Sequence, residues 1–382
     1  MTTFLSVMST IGSILLAILI LLVMITVHEF GHYTAGKALK FKINEFAIGF
    51  GPKLFKRTSK RTGEVFSIRA LPLGGFCAFD GEDSGEQTEN PHSFNNRPPW
   101  MRIIVLIAGP LMNYLLALLL IIIAMFSFGQ MMYQVNKPAP PPENGVIAEQ
   151  YIEYSFAPGD VILKVEGKNI YLTTDIMSAI KGKKQGDIVE VLVSRDGKEQ
   201  EIEIMLHDDC DFKSSTQTSK LFGALGVGTE DRITGEGEDA KVVKYYALGA
   251  VSYRFGFFKT IGHSFQYSVR IAGTIFKVLG ELLTGHIGLN AMGGPVTTIR
   301  LTSEIATQSL QSFFEIAAYI GVNLAVFNLL PIPALDGSKV IFCLIEWIFR
   351  KPVPRKIEAV IHAVGFFAIL GFAVLVDILQ FV

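Results

Sequence analysis

Charge is scarce in this chain. Of its 382 residues only 18% are Asp, Glu, Lys or Arg, half are hydrophobic, and the formal net charge is −1. Soluble domains carry about 25% charged residues, so an ordinary soluble globule is excluded. A near-neutral chain has no basic footprint, so no nucleic-acid partner is expected. Cysteine is sparse too. Cys77, Cys210 and Cys343 form no CxxC pair, which argues against a disulfide framework and against a cysteine zinc site. Lys and Arg are missing from Met1–Ser6. The apolar run that follows is also too long for a signal-peptide core, so it reads as a membrane span.

What the chain has is long apolar runs. Four segments could span a bilayer, which takes about 20 apolar residues each. They are roughly Phe4–Val27, Ile103–Phe128, Phe313–Phe349 and Ile357–Val382, the third interrupted by "NLLPIPALDG". Lys37, Lys40 and Lys42 follow the first run, Arg97 and Arg102 precede the second, and Arg350, Lys351, Arg355 and Lys356 separate the last two. The positive-inside rule then puts residues 33–100 and 350–356 in the cytoplasm. Both termini and the 130–312 segment fall outside.

Between the runs, "GEVFSIRALPLGGFCAF", 63–79, reads as a β-hairpin with "PLGG" as its turn. "NKPAPPPENG", 136–145, reads as a proline-rich linker. The runs "DVILKVEG", "DIVEVLVS" and "QEIEIML" are strand-like and separated by turns, and they suit one small domain. Residues 241–285 are aromatic and apolar yet carry Lys244, Arg254, Arg270, Lys277 and Glu281. They are expected to form amphipathic helices on the membrane surface, with a further pair of spans as the alternative.

The chemistry sits at the end of the first run, in "VHEFGH". His28 and His32 stand four apart, so a helix puts both on one face, where two imidazoles can hold one metal ion. Glu29 is placed to reach a metal-bound water. This is the HExxH pattern. A catalytic zinc takes a third protein ligand and leaves a position for water. Asp336, in "NLLPIPALDG", is expected at the right depth. Pro331 and Pro333 break the helix there, and unwound backbone within a membrane needs a protein-lined or watered cavity. His362 is a rival third ligand. His263 and His286 fall on the outer side and rank lower.

With these residues the chain resembles the site-2 proteases, intramembrane zinc metalloproteases, and is similar to their regulator-of-sigma-E branch. "HEFGH" matches the first family motif, "AGPLMN" resembles the GPxxN of the second span, and "NLLPIPALDG" matches the NxxPxxxLDG of the third. "TGHIGLNAMGGP", 284–295, resembles the stretch before that span. "APGDVILKVEG", 157–167, resembles a piece of the family's PDZ domain. The resemblance implies a polytopic α-helical membrane protein of about four spans, with a cytoplasmic-side membrane β-hairpin and an inserted extracytoplasmic PDZ-like α/β domain. Its segments would be a first span over 1–32, a cytoplasmic stretch over 33–102 and a second span over 103–129. A linker over 130–142, a PDZ-like domain over 143–230 and surface helices over 241–312 would follow, then a broken third span over 313–349 and a fourth over 357–382.

The resemblance further implies His28, His32 and Asp336 as ligands of Zn2+ and Glu29 as catalytic base. Asn328, Asn323 and Asn113 would face substrate near the metal. The hairpin, through Ile68, Leu71, Gly74 and Gly75, would capture an unwound substrate by strand addition. Gly145, Val146 and Ile147 would form the PDZ groove strand, able to take a peptide. The branch's best-known members carry two PDZ domains, and this chain has room for one. The expected substrate is a single-span membrane protein, such as an anti-sigma factor, or a signal-peptide remnant. The expected location is a bacterial cytoplasmic membrane. A non-catalytic PDZ scaffold and a metal-binding transporter are the alternatives. A scaffold needs no glutamate beside the first histidine, and no inverted repeat supports a transporter.

Overall fold

A computed structural model describes residues 2–82, 89–136, 156–214, 217–227, 232–234, 241–243, 248–288 and 293–381. Four of its helices are long and apolar enough to cross a membrane, over Met8–Ala38, Pro99–Phe128, Leu310–Leu329 and Lys356–Gln380. They leave large apolar side chains bare, among them Leu15, Leu19, Val364 and Phe367. Bare apolar stripes of that kind suit hydrocarbon as the surrounding solvent. The chain divides into two units.

The first unit opens with α1 (Thr2–Ala38), followed by β1 (Ile43–Thr58) and β2 (Val65–Phe79). α2 (Pro99–Phe128) comes next and carries Pro110 inside it. Much later in the chain come α6 (Pro295–Ala306), α7 (Leu310–Leu329), α8 (Asp336–Phe349) and α9 (Arg355–Phe381). One apolar core gathers Ile20 and Met24 of α1 with Ala306, Ala317 and Ile320. A second joins Phe41, Ile43 and Phe79 to Val105, Leu106 and Cys343.

The sheet differs from the expected hairpin. The chain reverses at 59–64, where Ser59 N–H donates to Glu64 and Gly63 N–H to Ser59. "PLGG" lies where β2 doubles back: residues 65–68 and 75–79 run in opposite directions, on either side of 46–48 instead of pairing with each other. The partner strand is β1, which Gly49, Gly51 and Pro52 disguise in the sequence. Each of Phe46, Ala47 and Ile48 pairs twice, with Cys77, Phe76 and Gly75 on one side and with Phe66, Ser67 and Ile68 on the other. The two long strands therefore fold back on themselves into a wider sheet. Glu45 ties the layers. Its carboxylate accepts from Ser67 Oγ at 2.6 Å, Arg69 at 2.9 Å and Lys53 at 2.9 Å. Burial raises its pKa, but those hydrogen bonds outweigh it and hold the group at about 2.

The second unit is an inserted sheet domain. Its strands are β3 (Gln130–Val135), β4 (Val161–Val165), β5 (Lys168–Asn169), β6 (Ile188–Arg195), β7 (Lys198–Met205) and β10 (Leu248–Tyr253), in the order β10-β3-β4-β6-β7 with β5 on β4. A short pair, β8 (Arg232–Thr234) and β9 (Lys241–Val243), stands apart. α3 (Thr173–Ile180) and α4 (Thr218–Ala224) pack on the sheet core through Ile176, Ile180, Leu221 and Ala224. The Arg195 guanidinium grips the fully buried Asp160 with two bonds, at 2.7 and 2.8 Å.

Two stretches were misjudged from sequence. Residues 130–135 are a strand, not the start of a linker, and 241–253 hold strands where helix was expected. The strands QMMYQV and LGAVSY are only six residues long and do not alternate cleanly, so neither period registers in them. Among the described residues of this stretch helix begins at α5 (Phe257–Leu283), which buries Ser264 and Ser268 and turns Phe258, Phe265 and Leu283 outward. Among the described residues it is not one of the helices apolar enough to span.

Candidate metal centre

α1 runs unbroken through "HEFGH", so the helical period decides what its side chains share. His28 and His32 are both buried, and their Nε2 atoms lie 3.1 Å apart. Asp336 opens α8, where the helix dipole favours a carboxylate. Its Oδ2 reaches 3.0 Å from His28 Nε2 and 3.4 Å from His32 Nε2. Among the described residues this is the one cluster of three or more His, Cys, Asp or Glu whose ligating atoms converge, all within 4.8 Å. A tetrahedral zinc with N and O donors at 2.0–2.1 Å holds neighbouring donors about 3.3 Å apart. The triangle of 3.0, 3.1 and 3.4 Å fits such an ion.

The ring of His32 is aimed by its far side. Its Nδ1 donates to the Val105 carbonyl of α2 at 2.8 Å. That bond fixes the tautomer and leaves Nε2 bare toward the cluster. The approach of α2 to α1 depends on Gly31 inside the motif. A Cβ there would lie 2.8 Å from the Ala108 carbonyl carbon and 2.9 Å from Gly109 Cα. Sequence reading passed over both partners. The signal available was the small residues Gly31, Ala108 and Gly109, the kind that lets membrane helices touch.

Glu29 points to the sheet side. A Cβ at Gly75 would lie 3.5 Å from Glu29 Cγ, and the Cys77 backbone N–H is directed at the carboxylate. Gly74, at φ +123°, packs on the Phe50 ring. Ile68 and Leu71 are bare side chains farther along the strand. Asn113 is fully buried on α2, and neither end of its amide has a hydrogen-bond partner among the described residues. Asn323 bonds back to the Tyr319 carbonyl at 2.9 Å. Asn328 is half-buried in the last turn of α7.

The rival histidines are engaged elsewhere. His362 accepts from the Ala334 N–H, His263 stacks on Phe255, and His286 bonds Thr284. Gly145, Val146 and Ile147, expected as a peptide groove, lie outside the described residues.

The pattern of peptidase family M50 matches residues 16–372, all three cluster residues included. The chain belongs to peptidase family M50. Similar relatives carry a zinc metalloprotease name. One from Clostridium perfringens is 32% identical, over 96% of this chain and 97% of its own length. One from Fusobacterium nucleatum is 30% identical, over 95% and 97%. One from a Nostoc species is 30% identical, over 95% and 94%. The M50 match runs across the whole set of apolar helices and the inserted sheet domain, and this chain is a multipass peptidase of the site-2 protease type.

Proposed function

We propose that this chain is an intramembrane zinc endopeptidase that cuts single-span membrane proteins within the bilayer. Zinc is the expected cofactor, by the names of the relatives and by a donor set of two imidazoles and a carboxylate. The observation that carries the reading is the meeting of His28, His32 and Asp336 beside Glu29, near the end of an apolar helix. Ionisable groups are costly at such a place and mark function.

Zinc, when bound, lowers the pKa of a water toward neutrality and polarises the scissile carbonyl. The rest falls to the protein. His28, His32 and Asp336 hold the ion, and the Val105 carbonyl keeps His32 in the tautomer that can. Glu29 takes a proton from the attacking water onto its carboxylate and passes it to the leaving amide nitrogen. A transmembrane substrate hides its peptide bonds in helical hydrogen bonds, so it must unwind first. The strand edge at Gly75 lies beside Glu29, and with Gly74 it can present the unwound segment by strand addition. Ile68 and Leu71, bare on the same sheet, supply apolar contacts. Asn328 and Asn323 steady the substrate backbone, and the amide of Asn113, without a partner among the described residues, offers a polar contact near the centre.

By the distribution of Lys and Arg, the metal centre and the β1–β2 sheet face the cytoplasm of a bacterial inner membrane, with the termini and the sheet domain outside. We read the sheet domain as a single PDZ domain, on the resemblance of residues 157–167, with a place for a peptide and a partial filter for substrates already trimmed outside. Anti-sigma factors and signal-peptide remnants both meet that description.

The test compares wild type with Glu29→Gln on a tagged single-span substrate in membranes, with zinc measured in both purified proteins. Cleavage by wild type alone, with zinc in both, supports the reading. Equal cleavage by both removes Glu29 from the mechanism. A wild type that neither binds zinc nor cuts refutes it.

A further inference from the structure

The third metal ligand stands just past a break in the helix, and something must hold that break in place. The backbone of residues 330–335 can be accounted for group by group. Pro331 and Pro333 have no N–H. Leu330 N–H donates to Phe327, Ile332 to Leu330, and Leu335 to Ile332, all local bonds. Ala334 N–H alone leaves the segment. It donates to His362 Nδ1 on α9 at 3.0 Å. Ala334 also holds φ at +76°, a conformation a residue with a Cβ seldom adopts. Such a conformation persists when its surroundings over-determine it. Asp336 is two residues on.

A second contact comes from the same face of α9. Gly365 is three positions, about one turn, after His362. A Cβ there would overlap Pro333 Cβ and lie 2.9 Å from its carbonyl carbon and oxygen. The fourth span therefore touches the break twice, by a hydrogen bond at Ala334 and by contact at Pro333.

We infer that His362, with Gly365, is a positioning residue for the metal ligand Asp336. It is not a ligand itself. Because an N–H faces it, Nδ1 must be bare, so a neutral ring carries its proton on Nε2. Phe342 packs edge-on against the ring at 5.6 Å and limits its rotation. Outer partners of metal ligands change metal affinity or activity by about 10- to 100-fold when removed. The inference rests on the zinc endopeptidase reading above.

The test uses the full-length protein in detergent and in vesicles. His362→Leu is the main variant. Leu is chosen over Ala because a cavity of about 490 Å³ borders His362 and Ala334, and solvent could stand in for a missing ring. His362→Asn is the rescue variant, since its amide oxygen can reach the place of Nδ1. Gly365→Ala perturbs the second contact. Zinc release to a chelator is followed alongside kcat and KM. His362→Leu is expected to release zinc at least about tenfold faster and to lose about tenfold in kcat at unchanged KM. His362→Asn should stay within about threefold of wild type, and Gly365→Ala should release zinc faster than wild type. A Leu variant that keeps zinc and turnover overturns the inference while the protease reading stands. So does an Asn variant as impaired as the Leu one. Should the Leu variant fail to fold, wild-type zinc retention by Gly365→Ala overturns it instead. A wild type without zinc or cleavage sinks the protease reading and the inference together.

Discussion

The sharpest test of the metal centre lies in a residue that touches no metal. Gly31→Ala adds one methyl where α1 meets α2. That methyl would sit 2.8 Å from the Ala108 carbonyl carbon and 2.9 Å from Gly109 Cα, and it would overlap the Ala108 oxygen. Ordinary carbon contacts are about 3.5 Å or more, so the helices must part locally by roughly 1 Å. The bond from His32 Nδ1 to Val105, 2.8 Å long, crosses the same interface. A shift of that size takes it to about 3.8 Å, beyond hydrogen-bond range. The overpacking costs about 1–3 kcal/mol. Loss of the tie to His32 should lower zinc affinity or cleavage by about 10- to 100-fold. The assay is cleavage of a tagged single-span substrate together with zinc titration against a competing chelator. Phe30→Ala is the control, since Phe30 is a bare neighbour on the same helix. Wild-type zinc affinity and turnover in Gly31→Ala would refute the claim that this helix contact aims His32.

Two further outcomes are expected. Asn113→Leu removes a buried amide with no hydrogen-bond partner among the described residues, so thermal stability should hold or rise by about 1 kcal/mol. Cleavage should nonetheless fall about tenfold if that amide serves substrate, and unchanged cleavage would reduce Asn113 to packing. The Glu45 carboxyl is held at about 2 against an ordinary 4.5. A lowered carboxylate pKa stabilises above the unfolded value and is lost as pH falls through the folded one. Limited proteolysis of the β1–β2 sheet should therefore quicken between pH 4.5 and 2 in wild type. Glu45→Gln should be cut faster at pH 7, where wild type is protected, and should lose most of that acid dependence. A variant as resistant as wild type at pH 7 would show that the Ser67, Arg69 and Lys53 bonds add nothing.

Sequence by itself determined what depends on neighbours along the chain. Apolar runs of bilayer length marked the helices that could cross a membrane, because hydrocarbon tolerates no unpaired backbone. The four-residue spacing of His28 and His32 put them on one face, because the helical period does so in any context. Strands β4, β6 and β7 were legible as alternating runs bounded by turns. The β1–β2 ladder was legible only in part: the reversal at "PLGG" was, but Gly49, Gly51 and Pro52 hide β1, which comes between the two halves of β2. Only tertiary structure chose between Asp336 and His362, which lie in different helices hundreds of residues from His28. It brought the carboxylate to the two imidazoles and turned His362 to the Ala334 N–H instead. It also made the Val105 carbonyl the partner of His32, through an approach that Gly31 permits. Such choices rest on distances between elements, which no periodicity within one element encodes.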